Sequence, residues 1–140
     1  MTIDPDNAIV RLCAAGMDAE AHDQAAARAL FERAWREADT SYEACISAHY
    51  LARHQPTPAA TLEWNRIALE KAWACEPELV AGFLPSLELC LGVAYEAVGE
   101  TVAARAHLEA AEAAAMALGD DGYGQMIERG IAAALARVRS

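Results

Sequence analysis

The run Leu91-Gly92-Val93-Ala94-Tyr95-Glu96-Ala97-Val98-Gly99-Glu100-Thr101, continued by Leu108-Glu109-Ala110-Ala111, contains a helix end, a helix start and a repeat. Gly99 ends one helix, because glycine takes the left-handed backbone conformation that closes a helix at little steric cost. Thr101 follows as the N-cap of the next, which runs to Leu118 and stops at Gly119. Leu108-Glu109-Ala110-Ala111 has two counterparts upstream, Phe31-Glu32-Arg33-Ala34 and Leu69-Glu70-Lys71-Ala72. The marker alanines Ala34, Ala72 and Ala111 are 38 and 39 residues apart. A period of that size marks an array of helical hairpins, each of which needs a neighbour to cover its apolar face.

Punctuation along the rest of the chain agrees with paired helices. Asp4-Pro5 is expected to open a first helix that ends near Gly16, and a second spans about Ala19 to Glu37. Thr40-Ser41-Tyr42-Glu43 has the spacing of a capping box and starts a third helix that continues to Arg53. Thr57-Pro58 starts a fourth, to about Cys75. Pro77 opens a short turn of helix. Proline inside a helix costs about 3 kcal/mol, so a break is expected between Gly82 and Pro85, and a fifth helix runs on to Gly99. After Asp120-Asp121-Gly122 a last helix reaches about Val138. No segment has the alternation of a strand. The hairpins span about 5–37, 40–75 and 77–118, with a capping helix over about 121–138, in a single all-α domain of residues 1–140.

Composition points the same way. The chain has 140 residues, 55% hydrophobic, and 35 of them are alanine, the residue that loses least on entering a helix. Eleven basic and 21 acidic residues leave a net charge of −10, a field that repels phosphate, so neither nucleic acid nor an anionic membrane is an expected partner. The start of the chain lacks a basic and then apolar leader pattern. Cys13, Cys45, Cys75 and Cys90 form no Cys-x-x-Cys pair. A cytoplasmic, reduced protein is expected.

Leu91-Gly92-x-x-Tyr95, followed by Ala104 and Leu108, resembles the signature of tetratricopeptide repeats. Ala27 and Phe31 repeat its second element in the first pair, and Ile46 with Tyr50 keeps part of the first element in the middle pair. The resemblance covers about residues 7–118 and implies antiparallel hairpins stacked in a short right-handed superhelix. Ala27, Phe31, Ala34, Tyr50, Leu69, Ala72, Leu91, Gly92, Tyr95, Ala104, Leu108 and Ala111 would carry the repeat packing. Gly92 would let two helices approach closely while Tyr95 fills the angle between them. Glu88 stands where the family prefers tryptophan, Ser47 where it prefers glycine and Asn65 where it prefers alanine.

The resemblance also implies a concave groove lined by the first helix of each pair: Ser41, Ala44, Ala48 and Leu51 on one, Ser86, Leu89, Val93 and Glu96 on the next. Such a small, apolar surface suits a hydrophobic segment of a protein or peptide partner, or a second copy of the chain in a homodimer. The middle hairpin adds six residues between Tyr50 and Leu69 relative to Tyr95 and Leu108, around Arg53-His54-Gln55-Pro56-Thr57-Pro58. With His49, Arg53, His54, Trp64, Asn65 and Tyr123 this loop is a candidate binding element, and a pocket for a small anionic or polar ligand is the alternative to a partner surface. Tyr42, Phe83 and Ser86 join those polar and aromatic residues as positions of interest. Trp35, Trp64 and Trp73 are expected in the packing. Cys45 and His49 share a helix face at i, i+4, but zinc needs three or four ligands and no second pair has suitable spacing, so no metal and no cofactor are expected. No nucleophile elbow, phosphate loop or dinucleotide motif occurs, and Glu32-Arg33 and Glu128-Arg129 look like solvated pairs; no catalytic residue is assigned and the chain is not expected to be an enzyme.

Overall fold

A computed structural model describes residues 4–139, and these form eight α-helices and one 3-10 turn with no strand among them. They fall into two compact units, Met1–Leu79 and Val80–Ser140. The helices are α1 (Ala8–Ala19), α2 (Gln24–Glu37), α3 (Ser41–Leu51), α4 (Pro58–Trp73), α5 (Pro77–Val80), α6 (Leu84–Ala97), α7 (Thr101–Ala115) and α8 (Gly122–Arg139), with the 3-10 turn at Ala52–His54.

In the first unit α1 packs on α2, α2 on α3, and α3 on α4. The first helix starts later and ends later than the proline and glycine suggested. Asn7 is the cap, its Oδ1 accepting from the backbone N–H of Ile9 at 2.8 Å and of Val10 at 3.0 Å. Gly16 does not end the helix: it is buried in α1, and a Cβ there would meet the ring of Phe31, 2.7 Å from its Cζ. Glycine within a helix costs about 1 kcal/mol relative to alanine, and burying a phenylalanine side chain recovers about 1.5–3 kcal/mol. Phe31 is 0% exposed, so the exchange favours the close approach. The second helix begins at Gln24 rather than Ala19, because Asp23 Oδ1 accepts from the Ala26 N–H at 3.1 Å and makes the cap.

Thr40 caps α3 as its spacing predicts, accepting from the Glu43 N–H at 3.1 Å. The return bond of the box goes one residue further back: Glu43 Oε1 accepts from the Asp39 N–H at 2.8 Å. Its Oε2 accepts from Asn7 Nδ2 at 2.8 Å, so one carboxylate joins the N-termini of α1 and α3. Burial opposes ionisation of Glu43, but these donors prevail and hold its pKa below the usual value. α3 stops at Leu51, short of the expected Arg53, and tightens into the 3-10 turn, while Thr57 caps α4 through the Ala60 N–H at 3.1 Å. α3 is enclosed on most sides, with Cys45, Ile46, Ser47, Ala48, His49 and Leu51 all buried.

In the second unit α6 packs on α7, and α8 packs on both. Pro85 sits in the opening turn of α6, consistent with the predicted break. α6 closes in a Schellman motif: Gly99 has φ of 81°, its N–H donates to Glu96 O at 3.0 Å, and the Glu100 N–H donates to Tyr95 O at 3.0 Å. The chain then turns directly into α7, so Thr101 is its first helical residue and not its cap; Glu100 holds the cap position without a side-chain bond. Gly92 is buried where a Cβ would lie 2.7 Å from Leu108 Cγ and 3.2 Å from Ala104 O. Leu108, Ala111 and Ala115 of α7 form a core with Ile127, Ile131, Ala134 and Leu135 of α8.

Candidate binding surface

An apolar surface of the first unit is a shallow groove between α1 and α3, about 130 Å³ in volume. Val10, Cys13, Ala14 and Met17 line one side at i, i+3, i+4 and i+7 of α1, and Tyr42, Ile46 and Tyr50 line the other at four-residue spacing on α3. Both sets are single helical stripes, which is why two helices can present a continuous apolar strip. Met17 is 46% exposed and gives the groove an adaptable wall.

A charged cluster closes the end of this groove at Tyr50. The Tyr50 ring stacks on Phe31, centroids 5.3 Å apart, and the Arg53 guanidinium lies over the Tyr50 ring, 4.9 Å from its centroid. Arg53 Nη2 donates to Glu20 Oε1, and His54 Nε2 is 2.6 Å from Glu20 Oε2. The His54 side chain is only 6% exposed and its ring centroid is 5.4 Å from that of Phe31. Arg53 and His54 therefore meet at Glu20, at the C-terminus of α1, more than thirty residues away in sequence. Glu20, Val10, Ala14 and Met17 carried no motif. The i, i+4 and i+7 spacing on α1 is the signal that could have found the last three.

Other candidates have different roles. His49 is buried, edge-on to Tyr50 with centroids 5.1 Å apart. Burial, aided by the charge of Arg53, lowers its pKa to about 4, so it is neutral at neutral pH and cannot serve with Arg53 as a cationic anion contact. Trp64 packs edge-to-face on Trp35 at 5.0 Å, while Trp73, expected in the packing, is 66% exposed. Asn65 is buried and donates to Thr61 O at 3.0 Å. Ala48 and Leu51, expected to line an open groove, are 0% and 2% exposed. Gln55 Nε2 donates to Leu51 O at 2.9 Å, so the inserted turn is braced from within the unit.

In the second unit α8 occupies much of the α6 face assigned to a groove. The Ser86 and Tyr123 hydroxyls are 2.7 Å apart, and the Tyr123 hydroxyl donates to Gly82 O at 3.4 Å. Arg137 donates to both Glu96 oxygens, at 2.9 and 3.0 Å, and this lowers the Glu96 pKa. Leu89 packs against the α7–α8 core, and only Val93, 38% exposed, presents a large apolar side chain. Glu88, 8% exposed in its side chain, meets His107 Nδ1 at 2.7 Å, and the His107 ring stacks on Tyr95 with centroids 5.3 Å apart.

Burial raises the Cys13 thiol to about 11, against a hydrogen bond from Ser47 that lowers it, and raises Cys45 to about 12; neither is a thiolate at neutral pH. Cys45 and His49 are both buried, and no group of three His, Cys, Asp or Glu among the described residues is placed to hold a metal ion. No helix among the described residues is long and apolar enough to cross a membrane. No family model, curated protein or solved structure matches this chain.

Proposed function

We propose that this chain is a non-catalytic interaction module of the tetratricopeptide kind, which takes an apolar segment of a partner protein along α1 and α3. The observation that carries the reading is the groove itself: two adjacent helical stripes, apolar along their length, ending in the Glu20, Arg53 and His54 cluster. Its tyrosines supply wide, rigid contact area with a polar tip, the residue type favoured at interfaces. Repeat packing is supported by the burial of Ala27, Phe31 and Ala34, of Asn65, Leu69 and Ala72, and of Ala104, Leu108 and Ala111 at matching positions of α2, α4 and α7. The contacts Gly16–Phe31 and Gly92–Leu108 support it further. A groove of about 130 Å³ is small beside the ~300–1,000 Å³ of small-molecule sites, which favours a partner's side chains over a free metabolite.

Selection of binders from a displayed random-peptide library tests the proposal. Selected peptides are expected to be apolar, to perturb the amide resonances of Val10, Met17, Tyr42 and Tyr50, and to lose about tenfold or more in affinity with Met17→Asp. Peptides that ignore Met17→Asp, or a library that yields none, would count against the groove.

A further inference from the structure

We infer that the outer face of α7 and α8 is a second docking surface, and that its occupant is a basic amphipathic helix of a partner protein. A groove of about 260 Å³ lies between these helices, lined by Glu112, Ala115 and Met116 on one side and Glu128, Ile131 and Ala132 on the other. Each side is an i, i+3, i+4 triplet, so an acid stands beside two apolar residues on both walls. An engineered cavity of about 150 Å³ in another protein holds benzene, so this groove has room for a branched or aromatic side chain. Met116 is 85% exposed and can repack around what enters.

Charge selects the occupant. Five other acids in this unit have partners: Glu88 pairs with His107, Glu96 with Arg137, Glu109 with Arg105 and Arg139, Asp121 with the Gly124 N–H, and Asp120 with Gln125; Glu100, at the cap of α7, has no side-chain bond but lies outside the lining of this groove. Glu112 and Glu128 have no hydrogen bond or ion pair among the described residues, although Arg129 directly follows Glu128. Sequence neighbours on a helix point apart, and Glu128 and Arg129 are both exposed, as expected of a solvated face. Two unneutralised carboxylates flanking an apolar slot match an apolar side chain with Lys or Arg on either side of it. A second copy of the chain fits poorly, since it carries a net charge of −10 and three of the four arginines in this unit are already paired.

The test uses the full chain and a short synthetic helix with leucines on one face and lysines on the other, beside a counterpart in which glutamates replace the lysines. Fluorescence anisotropy is expected to show binding of the lysine peptide alone. Glu112→Gln with Glu128→Gln should weaken it about tenfold and flatten its salt dependence. Glu70→Gln with Glu78→Gln removes the same charge from exposed sites in the first unit and should change affinity less than about twofold. Ala132→Arg should abolish binding by filling the slot. All these positions are exposed, and unchanged melting curves establish that the variants fold. Equal weakening by the two charge-removing pairs, or none by the first pair, would overturn the inference. So would a concentration-dependent dimer that Ala132→Arg dissolves, because the second copy would then be the occupant.

Discussion

In the first unit a helical glycine, Gly16, lies under the ring of Phe31, and a histidine, His54, is tied to Glu20; in the second, Gly92 lies under Leu108 and His107 is tied to Glu88. The parts come from different places. His107 and Glu88 both project from regular helices of one hairpin. His54 comes from the 3-10 turn inside the inserted loop, and its carboxylate is shared with Arg53. The difference assigns a job to the six extra residues: they carry Arg53 and His54 to the C-terminus of α1, where both meet Glu20. The inserted turn thus braces the end of α1.

Acid should separate the two units most strongly. His49 has a pKa of about 4 in the folded protein against 6.5 in an unfolded chain. The unfolded state therefore binds the extra proton between these values, and stability that is complete above pH 6.5 is lost as pH falls toward 4. At about 1.4 kcal/mol per pH unit the loss approaches about 3 kcal/mol. Amide exchange resolved by residue is expected to show this loss in residues 4–79 and a smaller one in 80–139, and His49→Gln should flatten it. Equal losses in both units would break the comparison.

The glycines come next. Replacing glycine by alanine in a helix gains about 1 kcal/mol in propensity, whereas overpacking a filled core costs about 1–3 kcal/mol. Phe31 and Leu108 are fully buried and have little room to move, so Gly16→Ala and Gly92→Ala should each lower stability by about 1–2 kcal/mol in thermal melts. Gly130→Ala is the contrast, because its Cβ would lie 3.1 Å from the flexible end of Leu89. It should be neutral or slightly stabilising.

The smallest effect distinguishes the two carboxylates. Glu20→Gln removes the charge that two partners share and should cost about 1 kcal/mol by urea denaturation. Glu88→Gln keeps one hydrogen bond to His107 and relieves a buried charge, so its cost should stay below about 0.5 kcal/mol. A reversed order would show that burial, and not the number of partners, sets the value of these pairs.

These contacts also explain which features the amino-acid order discloses. Gly92 was legible because Leu91, Tyr95, Ala104 and Leu108 surround it at recognised spacing; Gly16 makes the same contact but has alanines for neighbours and looked like a helix stop. The cap at Thr40 is local and was readable, while the hold of Glu43 on Asn7 spans 36 residues and was not. Arg53 and His54 were visible as an unusual pair, but their shared partner Glu20 depends on how α1 ends. Ala48 and Leu51 failed as groove residues because α3 is enclosed on most of its circumference, and the side of it that lines a groove carries Tyr42, Ile46 and Tyr50 instead. Trp73 failed for the opposite reason: it sits in the last turn of α4, beyond the contacts that bury Leu69 and Ala72.

The two protonated, buried thiols make the first unit a clock for its own opening. Cys13 on α1 and Cys45 on α3 are 3% and 0% exposed, and a thiol reagent at neutral pH meets neither a thiolate nor an accessible sulfur. The labelling rate of Cys13 thus reports how often α1 and α3 part, and that of Cys45 how often the packing around α3 opens, local free energies that a global melt averages away. A ligand seated between α1 and α3, across the wall that Cys13 helps to form, would slow that clock at Cys13.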